Sequence, residues 1–190
     1  MYAILEGIDG CGKSTQIELL KEYFSSAIFT KEPGGTNFGI KAREILLHGE
    51  LKSNKAELML FLADRAEHFF EIVKPNLDKI VISDRGFLSG IAYALTAGFE
   101  LDFLIKLNRF VLDNQLPQKV VIFEITKDEL IKRVGQKSQD RIEQRGYDYL
   151  MQIQENLINV AKYMKLDYKV IDATLSIETI NKEIIEYLTI

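Results

Sequence analysis

The chain has 190 residues, 47% of them apolar, which is enough to bury one sizeable core and predicts a single folding unit over residues 1–190. Its net charge of −4, with acidic and basic residues well mixed, offers no basic stripe for counterion release and excludes a nucleic-acid polymer as the expected partner. No charged-then-apolar leader opens the chain, no apolar run approaches a bilayer span, and the single cysteine, Cys11, excludes an intrachain disulfide framework, so a soluble cytoplasmic protein without a membrane partner is expected.

In chain order, Tyr2 to Leu5 is a short apolar run suited to a buried strand. Residues Gly7-Ile8-Asp9-Gly10-Cys11-Gly12-Lys13-Ser14 then match the phosphate-binding loop G-x-x-x-x-G-K-[ST], and Ser14 to Phe24, with Thr15 in its first turn, reads as an amphipathic helix. The glycines let backbone N–H groups converge on phosphate, Lys13 reaches the β- and γ-phosphates, and the Ser14 hydroxyl is offered to Mg²⁺. A nucleotide held with Mg²⁺ is therefore expected, and Lys13 is expected to face solvent when no nucleotide is bound. Cys11 reads as a small side chain that fits beside phosphates, with no catalytic role.

Ala27 to Thr30 predicts the second strand, and Glu32-Pro33-Gly34-Gly35-Thr36 a tight loop after it that is expected to be mobile. Lys55 to Val73 reads as one long helix stopped near Pro75, its apolar spacing interrupted by Arg65. Ile80 to Ser83 is a strand ending in Asp84, and Arg85 follows at once. Asp84 is placed to hold Mg²⁺ opposite Ser14, although an Asp there also suits a cap for a helix beginning near Phe87. Arg85 points into the crevice above the strand ends, where ligands bind in open α/β sheets. Val120 to Ile125 is a further strand. Residues 135–146 are polar, carry Lys137, Arg141 and Arg145, and read as a short lid. Leu150 to Met164 has helical periodicity, Tyr168 to Ile171 is a last strand, and Ile177 to Leu188 a last helix. The alternation predicts an α/β fold of the P-loop kinase type, with a five-stranded parallel sheet and helices on both faces.

The two Asn-Lys pairs, Asn54-Lys55 and Asn181-Lys182, are not followed by the x-Asp that guanine recognition needs, which argues against a GTPase. A short chain with a basic lid fits a small kinase that keeps water from phosphoryl transfer. A nucleotide-binding switch without catalysis is the reading from a different class.

The ordered set Glu6 to Thr15, Lys31 to Thr36, Leu60-Phe61-Leu62-Ala63-Asp64-Arg65, Asp84-Arg85 with Ser89, Ala92 and Tyr93, and Asp140-Arg141-Ile142-Glu143 resembles the thymidylate kinase family over nearly the whole chain. The resemblance implies ATP-dependent phosphorylation of dTMP to dTDP in dTTP biosynthesis, and a homodimer. It implies that Phe61 stacks on thymine, Arg65 bonds the base edge, Arg85 grips the acceptor phosphate, and Asp9 lies beside the sugar 3′-hydroxyl and the reacting phosphates. Tyr93 would pack under the deoxyribose, with Glu32 and Arg43 as weaker candidates near the substrate. The loop carries no arginine of its own, so Arg141, with Lys137 or Arg133 nearby, would offset the charge on the transferred group. Gly86 and Phe87 depart from the common pattern, as do Gly90 beside the base and Ala94. Fewer polar groups would then read the thymine edge, and only modest discrimination between dTMP and dUMP is expected.

Overall fold

The structure is a computed structural model and describes residues 1–134 and 146–189. Five strands, β1 (Tyr2–Glu6), β2 (Ile28–Lys31), β3 (Val81–Asp84), β4 (Lys119–Glu124) and β5 (Tyr168–Asp172), form one sheet in the order β2-β3-β1-β4-β5, with every pairing parallel. All five residues of β1 are buried, as are four successive residues of β4. Successive side chains point to opposite faces, so unbroken burial means that both faces are covered, which explains why these strands read as continuous apolar runs.

The described helices are α1 (Lys13–Tyr23), α2 (Asn37–His48), α3 (Asn54–His68), α4 (Phe87–Thr96), α5 (Leu101–Val111), α6 (Lys127–Val134), α7 (Tyr147–Tyr163) and α8 (Ile177–Thr189). α4 packs on α7, α1 on α8, and α3 on α2, α4 and α5. Among the described residues no helix is long and apolar enough to cross a membrane. The long helix predicted to Val73 is α-helical only to His68; Phe69–Val73 is a π-helical turn and Lys74–Asn76 a 3₁₀ turn. The wide turn keeps Phe69 and Val73 in the core, and Pro75, which has no N–H to donate, stands where the ladder ends.

Register sets what the sheet presents. Leu5 and Lys31 both stand opposite Asp84, which levels the carboxyl ends of β1, β2 and β3. The segments leaving those ends, Gly7 onward, Glu32 onward and Arg85 onward, therefore open on one edge of the molecule.

Candidate active site

The loop between β1 and α1 turns through Gly10 and Gly12, whose φ angles of 85° and 90° suit glycine. Gly12 is the N-cap of α1 and has no side chain with which to cap it, so that helix opens with its N-terminus on the loop. A cavity of about 410 Å³ lies against the loop, lined by Ile8 to Gln16 and closed by Arg133 and the chain after β5. Arg133 Nε donates to Glu129 at 2.9 Å and Nη2 to the Ala173 carbonyl at 2.9 Å, bracing α6 on that chain.

Lys13 does not face solvent. It is buried and its Nζ lies 3.0 Å from Asp84 Oδ1. The cause is register, because β3 is adjacent to β1 and its terminal carboxylate meets the first residue of α1. Asp84 does not cap α4, which begins at Phe87 with no side-chain cap from its own N-cap residue. Oδ1 of Asp84 is buried without a hydrogen-bond partner among the described residues, although the Lys13 ammonium is near. Asp84 and Ser14 line a common cavity of about 420 Å³. A carboxylate and a hydroxyl lining one cavity fit Mg²⁺, which takes one or two protein oxygens and fills its other positions with phosphate and water.

A second, smaller pocket opens on the other side of Asp9, lined by Phe61, Arg65, Arg85, Gly90 and Tyr93. Asp9 lines both cavities. Arg85 spans the boundary: Nη2 donates to Asp9 Oδ1 at 2.7 Å, and Nη1 to the Gly7 carbonyl at 2.6 Å. Its φ of 66° is left-handed, which costs an L residue about 1 to 2 kcal/mol. Burial pushes the Asp9 carboxyl up, but Arg85 and Lys13 outweigh it and hold Asp9 below the ordinary value.

Phe61 and Arg65, four residues apart on α3, present ring and guanidinium to the same pocket, as the spacing predicts. Arg65 is held on three sides: Nε donates to Glu32 Oε2 at 2.8 Å, Nη1 to Asn108 Oδ1 at 2.8 Å, and Nη2 to the Gly86 carbonyl at 3.0 Å. Glu32 lines the pocket but is buried, and its second oxygen lies 2.8 Å from His68 Nδ1, so it acts through Arg65. Burial pushes the Glu32 carboxyl up, yet Arg65 and His68 hold it below its ordinary value. The loop expected to be mobile is tied down. Asp64 accepts from the Gly34 N–H at 3.1 Å, Arg43 donates to the Pro33 carbonyl at 3.2 Å, and Thr36 caps α2. Tyr93 is half-buried at the pocket wall, its ring 6.3 Å from that of Tyr149.

Arg141 and Lys137, like all but the last residue of the expected lid, lie outside the described residues. Sequence reasoning missed four site residues: Glu6, Ser83, His68 and Asn108. Glu6 is fully buried and accepts from the N–H groups of Gly86 at 3.0 Å and Ser89 at 3.1 Å, with its other oxygen on the Ser89 hydroxyl. Burial drives its carboxyl from 4.5 to about 7, partly offset by Ser89 and Arg85. A charged residue ending an all-apolar strand was the one available signal.

The profile of thymidylate kinase matches residues 5–184. Thymidylate kinase of Sulfurovum sp. (strain NBC37-1) is 51% identical over the full length of both chains, and that of Sulfurimonas denitrificans 49%, also over the full length of both. A crystal structure of thymidylate kinase from Ehrlichia chaffeensis superposes with a TM-score of 0.80 at 30% identity, covering 99% of this chain and 98% of that one. With a phosphate-binding loop, a ring-and-arginine pocket, and an aspartate shared by both, this chain belongs to the thymidylate kinase family.

Proposed function

We propose how this geometry performs the reaction of the family, the ATP-dependent phosphorylation of dTMP to dTDP. One observation carries the reading: the phosphate-binding cavity and the pocket of Phe61 and Arg65 share Asp9 in their walls. A donor in the first and an acceptor in the second bring their phosphates together there, and transfer is then a matter of positioning and charge. The phosphate-binding loop and Lys13 hold the β- and γ-phosphates of ATP. Phe61 stacks on thymine while Arg65, prevented from swinging by Glu32, Asn108 and Gly86, bonds its edge. Tyr93 and Gly90 shape the floor under the sugar and base. Arg85 carries a fixed charge to the acceptor phosphate, and Asp9 accepts from Arg85 or from the sugar hydroxyl. Bound between Ser14 and Asp84, Mg²⁺ would neutralise charge on the phosphate oxygens.

The motif around Arg141 supports a lid arginine that offsets charge on the transferred group. The single cysteine supports a reducing, cytoplasmic setting. Phe103 and Phe110, seven residues apart and exposed on one face of α5, support a homodimer, which sedimentation would test.

A product assay over a panel of nucleoside monophosphates tests the function. dTMP is expected to give dTDP, with kcat/KM about 10 to 200-fold above dUMP, the range that one methyl group in a pocket supplies. A folded Lys13→Ala protein is expected to lose at least about 100-fold in rate. A preference for dUMP, or near-normal turnover without Lys13, overturns the assignment.

A further inference from the structure

We propose that Glu6 and Ser83 are positioning residues for Arg85, clamping its backbone in the left-handed conformation that aims the guanidinium at Asp9 and the phosphate-binding loop. The inference rests on the assignment of Arg85 to the acceptor phosphate. At φ 66° nothing intrinsic to an arginine favours its backbone, so neighbours must fix it.

Its peptide groups are held from both sides. The Arg85 N–H donates to the Leu5 carbonyl at 2.9 Å, and the Arg85 carbonyl accepts from the Ser83 hydroxyl at 2.7 Å. The next N–H, that of Gly86, donates to Glu6. α4, which starts immediately after, carries no side-chain cap from its own N-cap residue, and Glu6 serves instead from the end of β1, taking the N–H groups of Gly86 and Ser89. The Ser89 hydroxyl bonded to Glu6 also lies 3.3 Å from Arg85 Nη1, so the same carboxyl supports the side chain. Ser83 and Glu6 are both fully buried on adjacent strands, and neither lines the pocket that holds Arg85. Their influence on substrate is therefore indirect.

The alternative is that both merely stabilise the fold, and phosphate dependence separates the two. Binding of dTMP and of thymidine, which lacks the phosphate, is measured by calorimetry for Ser83→Ala, Glu6→Leu and Glu6→Gln, each alone and combined with Arg85→Ala. Ser83→Ala and Glu6→Leu are expected to weaken dTMP about tenfold, the scale of one lost buried hydrogen bond, while thymidine is held unchanged. Glu6→Gln keeps an acceptor oxygen for the two N–H groups and is expected to restore dTMP binding to within about threefold. In the Arg85→Ala background the added substitutions are expected to change dTMP binding less than about twofold, because what they position is gone. Equal weakening of dTMP and thymidine, or the same loss with and without Arg85, overturns the inference. Should Glu6→Leu not fold, Ser83→Ala decides alone. Unchanged dTMP binding by Arg85→Ala itself overturns the role of Arg85 and the inference with it, whereas loss there with none in Ser83→Ala overturns the inference only.

Discussion

A Cβ at position 90 would stand 2.9 Å from Nη1 and 3.0 Å from Nη2 of Arg65, closer than side-chain carbons come to neighbouring atoms. Read from sequence, Gly90 is the absence of a polar group near the base. In the structure its bare α-carbon is the seat of the Arg65 guanidinium. Gly90→Ala is expected to displace Arg65 and weaken dTMP about 5 to 150-fold, the effect of a misfit worth about 1 to 3 kcal/mol, with little change in KM for ATP. A substitution that left both constants as they were would mean that Arg65 has room to spare. The same residue shows how far sequence reaches. Phe61 and Arg65 were legible through the family resemblance, and their helical spacing agrees with it by placing both on one face. Asn108 and Glu32, which hold Arg65, lie 43 and 33 positions away and belong to no common period, so only the folded chain brings them together. Glu32, a weaker candidate near the substrate in the sequence, is buried and bonded to Arg65 and His68 of α3.

At the scale of elements, the strands were nearly complete in the sequence, each run of β-branched and apolar residues lying within one residue of an observed strand. The exceptions follow from physics that periodicity does not carry. The π turn after α3 preserves apolar spacing while changing the hydrogen-bond ladder, and the cap of α4 comes from another strand. Burial, opposed by the capping bonds themselves, makes the Glu6 carboxyl at the start of α4 sensitive to pH. The Glu6 carboxyl stands at about 7 in the folded chain against an ordinary value of 4.5, so the folded state binds the extra proton. Its contribution to stability is fully present below about 4.5 and is lost as pH rises through about 7. At about 1.4 kcal/mol per unit the loss is about 3 kcal/mol. Urea unfolding of the parent and Glu6→Gln from pH 4.5 to 8 is expected to show the variant gaining relative stability by that order over this window. A pH-independent difference would mean that the buried carboxyl titrates as it does in water.

Across the whole molecule, the five parallel strands and the helices on both faces share one continuous core that runs from Tyr2 to Leu188. Far-UV circular dichroism and tyrosine fluorescence, the latter usable because the chain has eight tyrosines and no tryptophan, are expected to report one coincident unfolding transition, as a single unit requires. Two resolved transitions would divide the chain. This level of organisation was the most legible in the sequence, since alternation of strand and helix leaves few topologies, whereas the burial of Lys13 against Asp84 needed the order in which the strands line up. That order has a thermodynamic outcome. Because Asp9 is a wall of both cavities and Arg85 is bonded to it, a phosphate that draws Arg85 away from Asp9 alters the electrostatic surroundings of the neighbouring cavity. Linkage is reciprocal: any factor that one nucleotide imposed through this ion pair on the affinity for the other would be returned unchanged, before any phosphoryl group had moved.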